Sequence, residues 1–205
     1  MKIAKHTFLF FIYFFGNLLV AQQHTSKEYK IIGYVFGDLM EKSEHPIHAE
    51  KLTHLNYAFA KIENGEINIT NEDDPKHFKT LNTLKSKNPT LKLLISVGGW
   101  ANAASFPSVA SSDSSRTRFA NSALQFLQNY RLDGIDLDWE YPKNKETSAF
   151  LPEYKENFTL LLAKIRQKLD SFSAKTNNQY LLSVATAPKP DYLKHIEIDK
   201  IAKIV

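Results

Sequence analysis

The chain has 205 residues, of which 43% are hydrophobic, 12% aromatic and 23% charged. These proportions are those of a globular domain and exclude disordered, collagen-like and low-complexity chains. The sequence has no cysteine, which excludes disulfides, thiolate metal sites and a cysteine nucleophile. The net charge of +4 arises without a dense run of lysine or arginine, so nucleic acid is not an expected partner.

Residues 1–21 predict a secretory signal peptide. Two lysines precede an apolar stretch from Phe8 to Ala21, and polar Gln22 follows. A positive start, a short apolar core and a small residue before a polar run are typical of a cleaved export signal. A membrane anchor is the alternative, but the apolar run is shorter than the roughly 20 residues that span a bilayer. We therefore expect a secreted mature chain, residues 22–205, that is free of the membrane.

Five segments predict buried strands. Most are near-continuous apolar runs, which are typical of parallel strands covered on both faces. The five are Lys30–Gly37, Leu52–Ala60, Leu91–Val97, Leu132–Glu140 and Tyr180–Thr186. After the second strand, Asn64-Gly65 between Ile62 and Ile67 predicts a small hairpin, because this dipeptide favours a type I′ turn.

Amphipathic helices are predicted between the later strands. Apolar residues recur at helical spacing over Pro75–Lys87, Ser114–Tyr130 and Glu153–Phe172, and each stripe has the width of a helix packed on a sheet. Asp74 and Asp113 are the expected N-caps of the first two helices.

The alternation of strands and helices predicts βα units and an α/β fold. Two closures are compatible with this pattern, an open doubly wound sheet and a closed (β/α)8 barrel. No Gly-x-Gly-x-x-Gly or P-loop follows any predicted strand, which weakens the case for a nucleotide-binding open sheet.

Three carboxyl groups fall on one face of the fourth predicted strand. Side chains alternate between faces, so Asp136, Asp138 and Glu140 share one face while apolar side chains occupy the other. In an interior of low dielectric they cannot all ionise cheaply, so at least one should have a raised pKa. Such a cluster costs stability and is a candidate catalytic site. A solvated acidic edge strand and a carboxylate metal site are the alternatives, although no matching ligand cluster occurs elsewhere in the sequence.

The run Asp133-Gly-Ile-Asp-Leu-Asp-Trp-Glu-Tyr-Pro142 resembles the Asp-Gly-x-Asp-x-Asp-x-Glu motif of glycoside hydrolase family 18, the chitinase family. Ser96-Val-Gly-Gly-Trp100 resembles the second motif of the family, at the end of its third strand. Gly33-Tyr34 and the run Leu52–Phe59 resemble its first two strands. The four motifs occur in the order of the family and together cover about residues 30 to 190.

The resemblance implies a TIM barrel with its site at the C-terminal ends of the strands. Glu140 would be the general acid that protonates the glycosidic oxygen. Asp138 would orient the 2-acetamido group of the substrate and stabilise the cationic intermediate. Asp136 would share a proton with Asp138 and help to keep Glu140 protonated.

The resemblance also implies a substrate-binding set. Ser96 and Tyr34 would hydrogen-bond the inner aspartate, and aromatic members would stack on sugar rings. Barrel core is an equal alternative for Tyr34 and Phe59. The set is Tyr34, Phe59, Ser96, Gly98, Gly99, Trp100 and Tyr141.

One carboxyl group ends at the strand tip, so a second carboxylate nucleophile is not obvious. The family is an exception to the two-carboxylate scheme, because its substrate assists the reaction. The implied activity is retaining hydrolysis of β-1,4 bonds between N-acetylglucosamine units of chitin. The expected partner is chitin or its oligosaccharides; no cofactor and no metal are implied, and the complete enzyme is expected to be a monomer.

Two other functions are compatible with the resemblance. A chitin-binding lectin on the same fold would usually lack the acid, so Glu140 favours an enzyme. An endo-β-N-acetylglucosaminidase acting on N-glycans is the other alternative, and that branch often lacks Trp139 and Tyr141-Pro142, which are present here.

Eight βα units of the observed spacing need roughly 300 residues, whereas this chain reaches its fifth predicted strand by residue 186. The Met-x-Tyr-Asp motif of strand six and the strand-eight tryptophan of the family are absent from the sequence. We therefore expect residues 22–205 to be the N-terminal portion of a TIM barrel, with about five to six βα units.

Overall fold

The computed structural model describes residues 29–42, 46–140, 142 and 150–205. The strands are β1 (Ile32–Phe36), β2 (His54–Glu63), β3 (Glu66–Asn68), β4 (Lys92–Gly98), β5 (Gly134–Asp138) and β6 (Leu181–Val184). The α-helices are α1 (Gly37–Lys42), α2 (Asp74–Thr83), α3 (Gly99–Asn102), α4 (Phe106–Ala110), α5 (Asp113–Tyr130), α6 (Pro152–Thr176), α7 (Pro190–Leu193) and α8 (Ile198–Ile201). Short 3-10 helices lie at Ala49–Lys51, Leu84–Ser86 and Ala103–Ser105. In these ranges no helix combines the length and the apolar character needed to cross a bilayer.

The sheet has the strand order β1-β2-β4-β5-β6, and every neighbouring pair in this row is parallel. The short β3 pairs antiparallel with β2 at the side. A doubly wound sheet reverses its order at a switch point, whereas a barrel adds each parallel strand beside the previous one. The sequential order decides between the two predicted closures, and the predicted α/β TIM-barrel fold is confirmed.

All five predicted main strands are present, with slightly shifted ends. The fourth of them, β5, ends at Asp138, so Glu140 follows the strand instead of closing it. The predicted hairpin is also present, since Ile62 pairs with Ile67 across the turn. Asn64 and Gly65 have φ values of 53° and 79°, as a type I′ turn requires.

The predicted N-cap of α5 is wrong. Ser112 caps this helix and forms a capping box with Ser115, in which the Ser112 hydroxyl accepts the Ser115 backbone N–H at 3.1 Å. Asp113 lies in the first turn and forms an ion pair with Lys164 of α6 at 2.9 Å. A tertiary partner therefore binds the side chain that local sequence had assigned to the cap.

The predicted N-cap of α2 is also wrong, because Asp74 belongs to a buried polar cluster. Its carboxylate accepts the Tyr57 hydroxyl at 2.6 Å and the Thr70 backbone N–H at 2.8 Å. The Tyr57 hydroxyl also lies 2.8 Å from Nδ1 of His77. Thr70 donates its own hydroxyl to the carbonyl oxygen of Phe59 at 2.6 Å. The cluster ties the first turn of α2 to β2.

The hydrophobic core lies between one face of the sheet and the helices. Ile135 and Leu137 of β5 are fully buried on this face. Trp139, which follows them, stacks on Phe106 of α4 with ring centroids 5.3 Å apart and contacts Phe158 of α6 edge to face at 5.5 Å. Because side chains alternate along a strand, the polar residues of β5 lie on the opposite face.

β1 lies at one end of the strand order. It pairs with β2 alone within the described part of the chain. Ile32, Tyr34 and Phe36 are 49%, 44% and 42% exposed. The expected coverage of this strand on both faces stays a prediction.

Candidate active site

Buried polar side chains line the face of the sheet opposite the helices. Asn56 on β2, Ser96 on β4, and Asp136 and Asp138 on β5 are each at most 5% exposed. Strand pairing places Ser96 beside Asp136, and Asp136 beside Ser183 of β6. The alternation that predicted an acidic face on β5 therefore agrees with the structure, and this face is the interior of the barrel.

Three hydroxyl groups hold Asp136. Tyr34 donates to Oδ2 at 2.9 Å, Ser96 donates to the same oxygen at 2.8 Å, and Ser183 donates to Oδ1 at 2.6 Å. Burial and the adjacent Asp136 raise the pKa of the Tyr34 hydroxyl above its usual range, so this group remains a donor at neutral pH. These neutral donors replace the water that the buried carboxylate has lost.

Asp138 is 5% exposed, and its pKa is raised from 3.8 to about 7. Burial is the largest cause, followed by the negative charges of Glu140 and Asp136 and by a hydrogen bond with Glu140. Its Oδ1 atom is buried and has no hydrogen-bond partner among the residues described. The predicted raised pKa in this cluster is thus present, and it belongs to Asp138.

Glu140 lies just beyond the end of β5 and is half-buried. Its side chain hydrogen-bonds Asp138, so the structure brings all three predicted carboxyl groups together. Trp139 between them points the opposite way, into the core. The cluster lies at the C-terminal end of a parallel strand, which is the end where TIM barrels carry their active sites.

The two glycines at the end of β4 allow close packing beside the cluster. Gly98 and Gly99 have φ values of 109° and 70°, a region that other residues avoid. A Cβ atom on Gly98 would clash with the carbonyl oxygen of Asp138, and one on Gly99 would lie 2.8 Å from the ring of Phe59. These predicted site residues thus let β5 and an aromatic side chain approach the tip of β4.

The predicted aromatic residues differ in exposure. Trp100, in the first turn of α3, is 73% exposed. Phe59 is half-buried and packs edge to face on Phe36, with ring centroids 5.7 Å apart. Tyr34 is 44% exposed, and its hydroxyl contacts Asp136. Tyr141 lies outside the described residues.

Two residues of this site were missed by the sequence analysis. Ser183 is the one polar residue in β6, and it pairs in register with Asp136. Asn56 pairs in register with Tyr34 and hydrogen-bonds its hydroxyl. A polar residue within an otherwise apolar strand was the available signal in both cases. The partner of each residue could not be predicted, because strand register pairs segments that are distant in sequence.

Parallel barrel order with an acidic cluster at the strand ends is the architecture of a TIM-barrel glycoside hydrolase. The model of the family described as glycosyl hydrolases family 18 matches residues 22–205, and the chain belongs to this family. Chitinase A1 of Niallia circulans is 35% identical over 238 residues, which cover 90% of this chain and 34% of that protein. The chain therefore spans about a third of the length of this curated relative.

Solved structures show the same fold. The chitinase ChiW of Paenibacillus sp. strain FPU-7 superposes with a TM-score of 0.77 and 38% identity, covering 86% of this chain and 18% of that one. Human YKL-39, described as a pseudo-chitinase with retained chitooligosaccharide binding, superposes with a TM-score of 0.76 and 28% identity. That match covers 87% of this chain and 49% of YKL-39. Relatives of this chain thus include a chitinase and a protein described as a pseudo-chitinase.

The raised pKa of Asp138 predicts that the stabilities of the wild type and Asp138→Asn differ in their dependence on pH. The pKa of Asp138 is higher in the folded chain than in the unfolded chain. Between about pH 3.8 and pH 7, Asp138 is therefore protonated in the folded state and ionised in the unfolded state. The free energy of unfolding of the wild type should therefore fall relative to that of Asp138→Asn as the pH rises through this window. The total change should be on the order of 4 kcal/mol. Urea melts of both proteins at pH 4, 5.5, 7 and 8 measure it.

Asp199→Asn, which removes an exposed aspartate from α8, is the matched control for the loss of one acidic side chain. A difference between wild type and Asp138→Asn that stays constant from pH 4 to pH 8 would contradict the raised pKa of Asp138.

Proposed function

We propose that this chain carries the catalytic carboxyl groups of a secreted chitinase, which hydrolyses β-1,4 bonds between N-acetylglucosamine units. One observation carries the proposal: Asp138, with its raised pKa, hydrogen-bonds Glu140 at the strand end and lies next to a fully enclosed Asp136. The chitinases among the relatives support the substrate class.

Glu140 is the general acid in this proposal. It is the most exposed of the three carboxyl groups, since it is half-buried while Asp136 and Asp138 are 1% and 5% exposed. A glycosidic oxygen can therefore reach Glu140 before it reaches either aspartate. Proton transfer to that oxygen makes the departing sugar a neutral alcohol, which is the usual gain from general acid catalysis.

The nucleophile is the 2-acetamido group of the substrate. Both oxygens of Asp136 are occupied by hydroxyl donors, so this carboxylate is not placed to attack a sugar. The acetamido carbonyl oxygen attacks the anomeric carbon, the bond to the leaving oxygen breaks, and that oxygen takes the Glu140 proton. Water then opens the oxazolinium ion, returns a proton to Glu140 and leaves the anomeric configuration retained.

Asp138 orients the acetamido group during this attack. It adjoins Glu140 and has one buried oxygen that no described residue hydrogen-bonds, so that oxygen is available to accept the acetamido N–H. A negative or partly negative carboxyl group at this position also stabilises the positive charge that forms on the oxazolinium ring.

The sugar chain lies along the aromatic residues at this end of the barrel. Trp100 offers an exposed indole, the Tyr34 hydroxyl contacts Asp136, and the Phe59 ring lies against Gly99 at the end of β4. Tyr141 is included in the proposal on the match of its motif to the family alone. Aromatic faces pack well against the apolar C–H faces of pyranose rings, while the sugar hydroxyls remain free to bond water and protein.

Binding without hydrolysis is the competing function, as in the description of human YKL-39. Glu140 favours hydrolysis here, because sugar binding alone does not require a proton donor beside two buried aspartates. The presence of Trp139 and Pro142 in the acidic motif favours a chitin substrate over N-glycans.

Glu140→Gln tests the role of the acid. The change keeps the size of the side chain and removes its proton, so the full-length protein should lose about 100-fold or more of its turnover of N-acetylglucosamine oligomers. Binding of the oligomers should remain. A fluorogenic chitobioside assay and isothermal titration calorimetry measure the two properties.

Glu153→Gln, an exposed glutamate in the first turn of α6, is the control and should leave both properties unchanged. Turnover by Glu140→Gln close to that of the wild type would contradict the assignment of Glu140 as the general acid.

We also propose that residues 22–205 form the N-terminal part of the catalytic barrel. The share of the curated relative that the chain spans, 34%, supports this division, and so does the sequential strand order. The complete enzyme acts as a monomer in this proposal, because one barrel holds all three carboxyl groups.

Secretion rests on the leader, residues 1–21. In a host with a general secretion pathway, the exported protein should begin near Gln22, and mass spectrometry of its N-terminus measures this. Phe11→Arg interrupts the apolar core of the leader and should keep the protein inside the cell with its leader attached. Exported molecules that mostly retain Met1 would contradict the assignment.

A further inference from the structure

We propose that the N-terminal end of the barrel binds a linear anionic polysaccharide along a rim of cationic side chains, at the end opposite the carboxyl cluster. This ligand differs from the proposed substrate, because chitin carries no charge. The rim lies away from the reacting groups, and the proposed secretion of the chain bears only on the choice among anionic polymers.

The fold brings together cations that are scattered in the sequence. Because the main strands are parallel, the segments that precede them meet at one end of the barrel. These segments are residues 29–31, 48–53, 84–92, 130–133 and 175–180. Their cationic residues, which form the basic rim, are Lys30, Lys51, Lys85, Lys87, Lys92, Arg131 and Lys175. Five of these seven side chains are exposed, and Lys85 and Lys92 are half-buried.

Two acidic residues occur in these described segments, and each has a hydrogen-bond partner. Oδ2 of Asp133 accepts Nζ of Lys85 and the Leu93 N–H, both at 2.7 Å. Glu50 lies 2.9 Å from Nδ1 of His48. The rim therefore has an excess of five positive charges, which is larger than the net charge of +4 of the whole sequence. The remainder of the sequence is acidic on balance.

His54, at the start of β2, shows that cations from different strands lie close together. Burial is the largest cause that lowers the pKa of His54 below its usual value. The positive charges of Lys30 and Lys92 lower it further, and Asp133 opposes them without reversing the shift. Lys30 precedes β1 and Lys92 begins β4, so the two lysines reach His54 from the strands on either side.

The helices that end at the rim balance part of this charge. A helix C-terminus carries about half a negative charge, and Arg131 and Lys175 lie where α5 and α6 end. α2 ends at the same side of the barrel. Three such ends amount to roughly 1.5 negative charges. Most of the positive charge at the rim is therefore left for another partner.

One cation precedes or begins each of the four neighbouring strands β1, β2, β4 and β5. In this order the cations are Lys30, Lys51, Lys92 and Arg131. Neighbouring strands lie about 4.8 Å apart. The row thus advances along the rim in steps close to the length of one sugar unit. A polysaccharide with one carboxylate per sugar matches a row with one cation per strand.

A groove of about 410 Å³ opens on the rim beside Lys92 and Arg131. The amide side chains of Asn178 and Gln179 also line it, as does Asp133, whose Oδ2 atom is already occupied. Amides hydrogen-bond sugar hydroxyls, and the two cations can pair with a carboxylate. The groove therefore offers both kinds of contact that an acidic sugar unit requires.

The arrangement favours a polysaccharide over other anionic partners. Duplex DNA carries one negative charge per roughly 1.7 Å of its axis, which is far denser than one cation per strand. An anionic membrane presents its charges in two dimensions, whereas the four cations follow a single row. The proposed secretion also places the chain where it meets extracellular polysaccharides.

Binding of the full-length protein to polygalacturonate, which has one carboxylate per sugar, tests the proposal. Isothermal titration calorimetry should show binding that weakens about tenfold or more between about 50 and 200 mM salt, because ion pairing releases counterions. Uncharged dextran should not bind. An affinity for polygalacturonate that does not change with salt would overturn the proposal.

The double variant Lys92→Gln/Arg131→Gln tests the place of binding. It should weaken binding about tenfold at low salt and reduce the slope of log affinity against log salt by about 1 to 2. It should keep the wild-type turnover of a fluorogenic chitobioside. Lys79→Gln/Lys189→Gln removes the same charge from exposed positions outside the rim and is the matched control.

Equal affinities of the wild type and the rim variant would contradict the proposal, and so would an equal loss in the control variant. Thermal melts show whether each variant is folded. Should the rim variant not fold, Lys51→Gln/Lys87→Gln replaces it, because both side chains are exposed, and it should weaken binding in the same direction.

Two further probes test the class of polymer. Tighter binding to phosphatidylglycerol vesicles or to duplex DNA than to polygalacturonate would overturn the assignment to a polysaccharide. Because all of these binding measurements need no turnover, a failure of the proposed chitinase activity leaves their outcome readable.

Discussion

Two carboxyl groups on the interior face of one strand set the constraint on this site. Asp136 and Asp138 are almost completely withdrawn from water, and two charges there would be unsolvated and would repel each other. The surroundings of the two carboxyl groups differ. Three hydroxyl donors surround Asp136, while Asp138 keeps its proton to about pH 7. A proton is thereby stored one side chain away from Glu140.

The barrel order provides those donors. The three hydroxyl groups that reach Asp136 come from β1, β4 and β6, at sequence distances of 102, 40 and 47 residues. A register slip of one residue in any of these strands would turn its hydroxyl to the helix-covered face. The packing of Ile135, Leu137 and Trp139 on the other face opposes such a slip, since each is at most 2% exposed. The apolar core thus fixes the polar site.

Local features of the site could be predicted from the sequence, whereas its non-local features could not. The acidic face of β5 follows from alternation along one strand, and the Asn64-Gly65 turn follows from its own dipeptide. Ser183 could not be paired with Asp136, because their register depends on how two distant segments align. Asp74 was assigned to a helix cap on local grounds, although Tyr57, 17 residues earlier in the chain, binds it in the core.

In the proposed mechanism, one acid, Glu140, acts together with the acetamido group of the substrate. The most direct measurement is a proton NMR time course of the full-length protein with an N-acetylglucosamine oligomer and with its fully deacetylated counterpart. The β-anomer should be the first product from the acetylated oligomer, and the deacetylated oligomer should not be cleaved. An α-anomer as first product, or equal cleavage of both oligomers, would contradict it.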